Sequence, residues 1–159
     1  MAFVTTKLEH IAEVLSFKEL SGGIEADGAA TLVIDVNSID AIFELRDDRM
    51  KEFLFDAPNF PAIGISTQVD MEALGALGSG ETAAMTLQTT MSLLGTDYPV
   101  PAEVLVTNTG DGLVVSSVKP VLLSVPILGL QDGVAKLGEL AGGISISNAV
   151  PVSFTLRFN

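Results

Sequence analysis

Residues 81–94 alternate apolar and polar side chains over about fourteen positions, with no charge after Glu81. Ala83, Met85, Leu87, Met91 and Leu93 fall on one face, and Thr82, Thr86, Gln88, Thr90 and Ser92 on the other. Period-two alternation is the signature of a β-strand with one buried face. Strands usually run about five or six residues. At about 3.3 Å per residue and a tilt of about 40°, a strand of this length spans roughly 35 Å of barrel height. Its apolar face has to be covered from end to end, and its backbone edges need partners over the same distance.

The rest of the chain offers those partners. Residues 3–6 and 10–17 read as strands joined by a polar turn at residues 7–9. Gly22-Gly23 and Asp27-Gly28 punctuate a short strand, the second pair being a strong hairpin signal. Leu32, Ile34 and Val36 alternate with Thr31, Val33 and Asp35, and later Ile63, Ile65 and Val69 alternate with Gly64, Ser66 and Gln68. The glycine-rich residues 71–80 read as a loop. Residues 102–107 and 113–118 flank Asn108-Thr109-Gly110-Asp111-Gly112, a further hairpin. Residues 120–126 are apolar but bounded by prolines, which suits an edge strand or a crossover. Residues 150–158 alternate again. About eight strands with short turns indicate an all-β antiparallel barrel or sandwich.

Two stretches break the alternation. Within residues 46–61, Met50, Phe53 and Leu54 stand at i, i+3 and i+4 and share one face of a short helix. Asp47 and Asp48 suit its positive end, Asp47 and Lys51 form an acid-before-base i,i+4 pair, and Pro58 and Pro61 stop it. A helix with an apolar side and a charged side, in a chain of strands, reads as a cap or plug. A second short helix puts Leu130, Val134, Leu137 and Ala141 on one face between Gly129 and Gly142-Gly143, with Gly133 and Gly138 lowering its intrinsic propensity.

What is scarce narrows the function classes. At 159 residues the chain reads as one domain, long enough for a real core. It shows no signal peptide, which fits either a cytoplasmic protein or a domain excised from a larger exported one, and its entry into a strand pattern almost at once favours the second reading. Eight basic against 20 acidic residues give a net charge of −12, which disfavours nucleic acid and anionic lipid surfaces. No run approaches the roughly 18 apolar residues of a membrane-spanning helix. The absence of cysteine removes disulfides, thiol catalysis and thiolate metal sites. A single histidine, His10, leaves no triad and no multi-histidine metal centre. Asp47 and Asp48, beside Arg46 and Arg49, read as a salt-bridged helix start rather than an acid/base pair. No catalytic residue and no metal site is expected. The interior is either a packed core or a lined cavity, and the thioethers of Met50, Met71, Met85 and Met91 suit both.

Val33-Ile34-Asp35-Val36-Asn37-Ser38-Ile39-Asp40, followed by Arg46-Asp47-Asp48-Arg49-Met50, Phe53-Leu54-Phe55-Asp56 and Asn59-Phe60-Pro61, resembles the central signature of the YceI-like polyisoprenoid-binding family. Downstream, Met85-Thr86-Leu87, Gly95-Thr96 and residues 100–106 resemble its strand-Gly-Thr-strand hairpin, and residues 150–158 its closing strand. Ala41 stands where many members carry Thr, and residues 129–143 diverge from the family's usual loop. The resemblance implies one domain over residues 1–159, an extended lipocalin-like antiparallel up-and-down β-barrel of about eight strands with two short helices. It implies non-catalytic binding of a long-chain polyisoprenoid lipid, a ubiquinone or a polyprenyl phosphate or pyrophosphate, for carriage, storage or sensing, with no cofactor required. It also implies a periplasmic or extracellular location without stable membrane insertion, and leaves a homodimer open.

On that reading the ligand-binding residues form the inward face. From the strands these are Phe17, Leu32, Ile34, Ile63 and Ile65, together with Met85, Leu87, Met91, Phe154 and Phe158; from the helix they are Met50, Phe53 and Leu54. Arg46 and Arg49 are the head-group candidates, although Arg46 and Asp47 more naturally pin the helix to the strands. At roughly 0.8 kcal/mol per buried methylene, a tail of about 40 carbons exceeds the ceiling for non-covalent affinity, so ordering costs absorb much of its burial. Tail burial then suffices for retention and the head group tunes selection. A pyrophosphate wants clustered cations, whereas a neutral quinone suits an acidic protein and is placed first. The competing reading is a structural or carbohydrate-binding β module of a secreted multidomain protein. Its aromatic platform would have to come from Tyr98, because the chain has no Trp.

Overall fold

The computed structural model describes residues 1–159, in fourteen antiparallel strands arranged as three sheets. The first sheet holds β1 (Ala2–Lys7), β2 (Ile11–Phe17), β5 (Ile39–Asp40), β12 (Val121–Ser124) and β13 (Ala149–Ser153), in the order β12-β13-β1-β2-β5. The second runs from β3 (Leu20–Ile24) through β4 (Ala29–Asp35), β6 (Ala62–Gln68) and β8 (Thr90–Leu93) to β9 (Thr96–Pro99). The third runs from β14 (Thr155–Phe158) through β11 (Leu113–Ser117) and β10 (Ala102–Asn108) to β7 (Thr82–Leu87).

Fourteen strands stand where about eight are expected because the long runs bend. The fourteen-residue strand read at residues 81–94 is two strands, β7 and β8, separated at Gln88-Thr89. β7 pairs with β10, whereas β8 pairs with β6. The alternation survives the bend: Met85, Leu87, Thr89, Met91 and Leu93 are all partly or fully buried, and Thr86, Gln88, Thr90 and Ser92 are exposed. Lys18-Glu19 divides β2 from β3 in the same way, and Phe154 divides β13 from β14. Single backbone bonds carry the pairing across the bends. Val100 N–H donates to Thr89 O at 2.8 Å, Asp35 N–H to Glu19 O at 3.1 Å and Ser117 N–H to Phe154 O at 3.0 Å. The strands therefore fall into eight extended runs: β1, β2–β3, β4–β5, β6, β7–β8, β9–β10, β11–β12 and β13–β14. Each run pairs with the next, and β13 of the last pairs with β1 of the first through Ala2↔Ser153 and Phe3↔Val152. As its flanking prolines suggest, β12 lies at a sheet edge.

Three helices and a 3₁₀ turn (Val36–Ser38) complete the fold. α1 (Glu44–Arg49) begins two residues before the expected Arg46 and runs into one π-helical turn (Met50–Leu54), in which Phe55 N–H reaches back to Met50 O at 3.0 Å. The expected Asp47–Lys51 pair does not form. Asp47 accepts a hydrogen bond from Ala41 N–H, and Lys51 lies 3.9 Å from Asp48 instead. α2 (Met71–Gly75) occupies part of the segment read as loop, because the Asp70 carboxylate caps it by accepting from Glu72 N–H and Ala73 N–H. α3 (Gln131–Leu140) forms where the sequence places it. Its Gly133 permits close packing rather than merely weakening the helix: a Cβ there would lie 2.7 Å from Phe53 O on the π turn.

The larger core cluster includes Phe3, Leu15, Phe17, Val36, Ala41 and Phe55, with the Phe17 ring centroid 5.7 Å from those of Phe3 and Phe55. The smaller one gathers Val69, Leu74, Ala102, Val104, Val106 and Val115. Leu15 is fully buried in the first cluster, while Leu122 on β12 is exposed. Leu15→Ala is expected to lower the unfolding free energy by about 2–5 kcal/mol, and Leu122→Ala to change it by no more than about 0.5 kcal/mol. Urea unfolding checks both, and equal losses at the two sites would contradict this packing.

Candidate functional site

The inward faces of the sheets meet over only part of their area. With the helices they enclose a cavity of about 530 Å³ lined by 48 residues, 40 of them hydrophobic. Close-packed cores leave few voids larger than one water, so this is a lined cavity and not a packing defect. Apolar lining left facing water forgoes hydrophobic burial, and an apolar occupant restores it.

Phe17 on β2, Leu32 and Ile34 on β4, and Ile63 and Ile65 on β6 all line the cavity. So do Met85 and Leu87 on β7, Met91 on β8, Phe154 at the β13–β14 bend and Phe158 at the end of β14. Met50 and Leu54 reach it from the π turn. Phe53 does not: it is absent from the lining and 37% exposed. An α-helical period would group positions 50, 53 and 54, but the wider π turn swings position 53 away while 50 and 54 stay inside. Val134 and Leu137 of α3 also line the cavity. Their helical spacing is visible in the sequence, but nothing there links it to this interior.

Eight lining residues are not hydrophobic, and five of them, Thr5, Lys7, Arg46, Arg49 and Ser147, gather at one end. Glu13 on β2 organises it. Glu13 Oε1 lies 2.8 Å from Lys7 Nζ and Oε2 lies 2.7 Å from Arg46 Nη1, while Arg46 Nη2 is 3.3 Å from Thr5 Oγ1. Arg49 has no carboxylate within 4.0 Å and donates from Nη1 to Leu140 O at 3.1 Å, tying α1 to the end of α3. The head-group candidates Arg46 and Arg49 thus both face the cavity, with Arg46 also pinned to β2. Sequence reasoning missed Lys7 and Glu13 because it assigned Lys7 to the turn. The strand in fact extends to Lys7, pairing Lys7↔Ile11 and Thr5↔Glu13, so Lys7 and Glu13 are diagonal neighbours across the hairpin.

The hydrogen bond from Lys7 holds the Glu13 carboxyl below its usual range; burial opposes the shift and Arg46 adds to it. His10 lies exposed in the turn at residues 8–10. No three His, Asp or Glu side chains gather to hold a metal ion, and no buried side-chain polar atom lacks a partner. No helix is long and apolar enough to cross a membrane.

A family model described as the YceI-like domain matches residues 2–158. A polyisoprenoid binding domain from Saccharophagus degradans, implicated in plant cell wall breakdown, superposes with a TM-score of 0.95 at 31% identity, over 98% of this chain and 90% of that one. BcnA from Burkholderia cenocepacia superposes at 0.71 with 16% identity, over 99% of this chain and 96% of that one. A Campylobacter jejuni YceI protein gives 0.57 with 10% identity, over 89% and 84%. The last two share the fold. Comparison with curated proteins gives no match.

Because the folded-state pKa of Glu13 is depressed, its contribution to stability is present above the ordinary carboxylate range and lost as pH falls through and below it. Between about pH 6 and pH 3 the melting temperature of the wild type should therefore fall more steeply than that of Glu13→Gln. Asp40 and Asp111, also held low, titrate in both proteins. Parallel curves would contradict the role given to Glu13.

Proposed function

The chain belongs to the YceI-like domain family, and on that premise we propose that it binds a long-chain polyisoprenoid lipid, without catalysis, inside a lipocalin-like barrel closed from its three sheets. The observation that carries this reading is the 530 Å³ cavity, with 40 hydrophobic residues among the 48 that line it. Closure is supported by the pairing of each extended run with the next and of the last with the first. The ligand class is supported by the name of the Saccharophagus degradans domain, which is 31% identical over 98% of this chain. A flexible tail with a methyl branch on each isoprene unit fits a lining rich in Leu, Ile, Val and Met, whose side chains suit irregular apolar shapes.

The charged end takes the head group. Glu13 already neutralises much of Lys7 and Arg46, whereas the Arg49 guanidinium keeps donors free of any carboxylate. A quinone supplies neutral carbonyl acceptors and meets no repulsion from a chain of net charge −12, so it stays ahead of a polyprenyl pyrophosphate. The protein then carries, stores or senses the lipid in the periplasm or outside the cell. A carbohydrate-binding module is less well supported: the chain has no Trp, and Tyr98 is partly buried with its hydroxyl donating to Leu128 O at 3.2 Å, so it offers no open platform.

Uptake of ubiquinone and of a polyprenyl pyrophosphate by the purified protein tests the proposal. Leu87→Lys sets an ammonium in the apolar lining and should weaken uptake about tenfold or more in a protein with an unchanged far-ultraviolet spectrum. Unchanged uptake by that variant, or none of either lipid by the wild type, contradicts the proposal. A steep loss of uptake with added salt would point to the pyrophosphate over the quinone.

A further inference from the structure

At the charged end of the cavity the apolar lining continues onto the outer surface. Phe43 and Leu45 line the cavity and are also 62% and 61% exposed. Beside them Ile42 is 51% exposed, and Leu8, in the turn between β1 and β2, is 42% exposed. Leu8 belongs to the same end of the molecule. Its N–H donates to Ser145 O at 3.0 Å, and Arg49 of α1 bonds Leu140 O, so residues 140–147 join the turn to the helix. Leu8 and Ile42 hold left-handed backbone conformations, with φ of 51° and 77°. Such positions favour glycine or asparagine, and a β-branched residue there is a rare choice. Two turns thus keep a large apolar side chain in water at a strained position, beside the opening of an apolar cavity. That combination marks a contact surface.

The charged side chains of the lining are Lys7, Arg46 and Arg49, all basic, in a chain whose net charge is −12. We propose that this end docks on the surface of a lipid bilayer, with Leu8, Ile42, Phe43 and Leu45 entering the interface and the Arg49 guanidinium, which no carboxylate pairs, level with the lipid phosphate oxygens. The polyisoprenoid then passes between membrane and cavity over continuous apolar contact, and no length of its tail crosses water. The purpose of the docking rests on the lipid-binding reading; the docking itself is measurable without it. The fitting surface is zwitterionic. Arg49, with what charge Glu13 leaves on Lys7 and Arg46, meets its phosphates, while the overall charge, with Glu44, Asp47 and Asp48 on α1, repels an anionic membrane.

Flotation with vesicles of phosphatidylcholine and phosphatidylethanolamine tests the inference. The double variant Leu8→Asn, Ile42→Asn removes two exposed apolar groups that do not line the cavity, and asparagine accepts the left-handed conformation. Its vesicle partitioning should fall about tenfold or more, with equilibrium uptake of ubiquinone from detergent solution unchanged. Phosphatidylglycerol should weaken wild-type flotation, most at low ionic strength. Equal flotation of variant and wild type overturns the inference. So does a wild type that stays in solution as a dimer which the double substitution dissociates, since a second copy would then cover the face. If flotation depends on Leu8 and Ile42 but neither protein takes up ubiquinone or polyprenyl pyrophosphate, the docking stands and the lipid-binding reading fails.

Discussion

A strand that is apolar on one face and paired at both edges needs a cover over its whole length, and it is this requirement that shapes the molecule. The inward alternation of residues 83–93 persists through the bend at Gln88-Thr89, although the hydrogen bonding passes from one sheet to another there. The bends at Lys18-Glu19 and Phe154 do the same for the other pairs of sheets. Each inward face therefore stays continuous while the sheets turn around it. The two clusters pack part of this interior, the larger one around Phe17 and the smaller around Val104. Residues of both clusters also line the cavity that the inward faces leave between them.

Helices close what strands cannot. α3 approaches the π turn closely because Gly133 has no Cβ to strike Phe53 O, and the π turn brings Met50 and Leu54 to the cavity together. Electrostatics hold this cover in place. Arg46 on α1 reaches Glu13 on β2, Arg49 reaches the last turn of α3, and the Asp47 carboxylate holds the Ala41 N–H. The same cations border the opening, so the contacts that fix the cover also give the cavity one polar end. An amphipathic lipid with a single head group has the matching distribution of polarity.

Much of this was legible in the sequence because period-two alternation is a local property that survives tertiary folding. The inward faces of β4, β6, β7, β8 and β14 follow directly from it. The bend at Gln88-Thr89 was not legible: neither residue is a turn former, and the bend arises from pairing with two different partners. Phe53 defeated a helical reading because a π turn changes the period without any glycine or proline to announce it. α2 was hidden by its glycines, although Asp70 stood ready as its cap. Lys7 and Glu13 were obscured by a turn boundary set one residue too early, which broke the hairpin register that makes them neighbours. The resemblance to a known family supplied what local patterns cannot, the order of runs around the interior and the kind of ligand such an interior takes.

The central claim is that the cavity holds a polyisoprenoid chain. Native mass spectrometry of the protein, purified from bacterial cells without detergent and then incubated with ubiquinone-bearing vesicles, reads this directly. The expected spectrum carries a bound species that denaturation releases as a lipid with an isoprene repeat in its fragments. The bare polypeptide mass alone, before and after incubation, would contradict the claim.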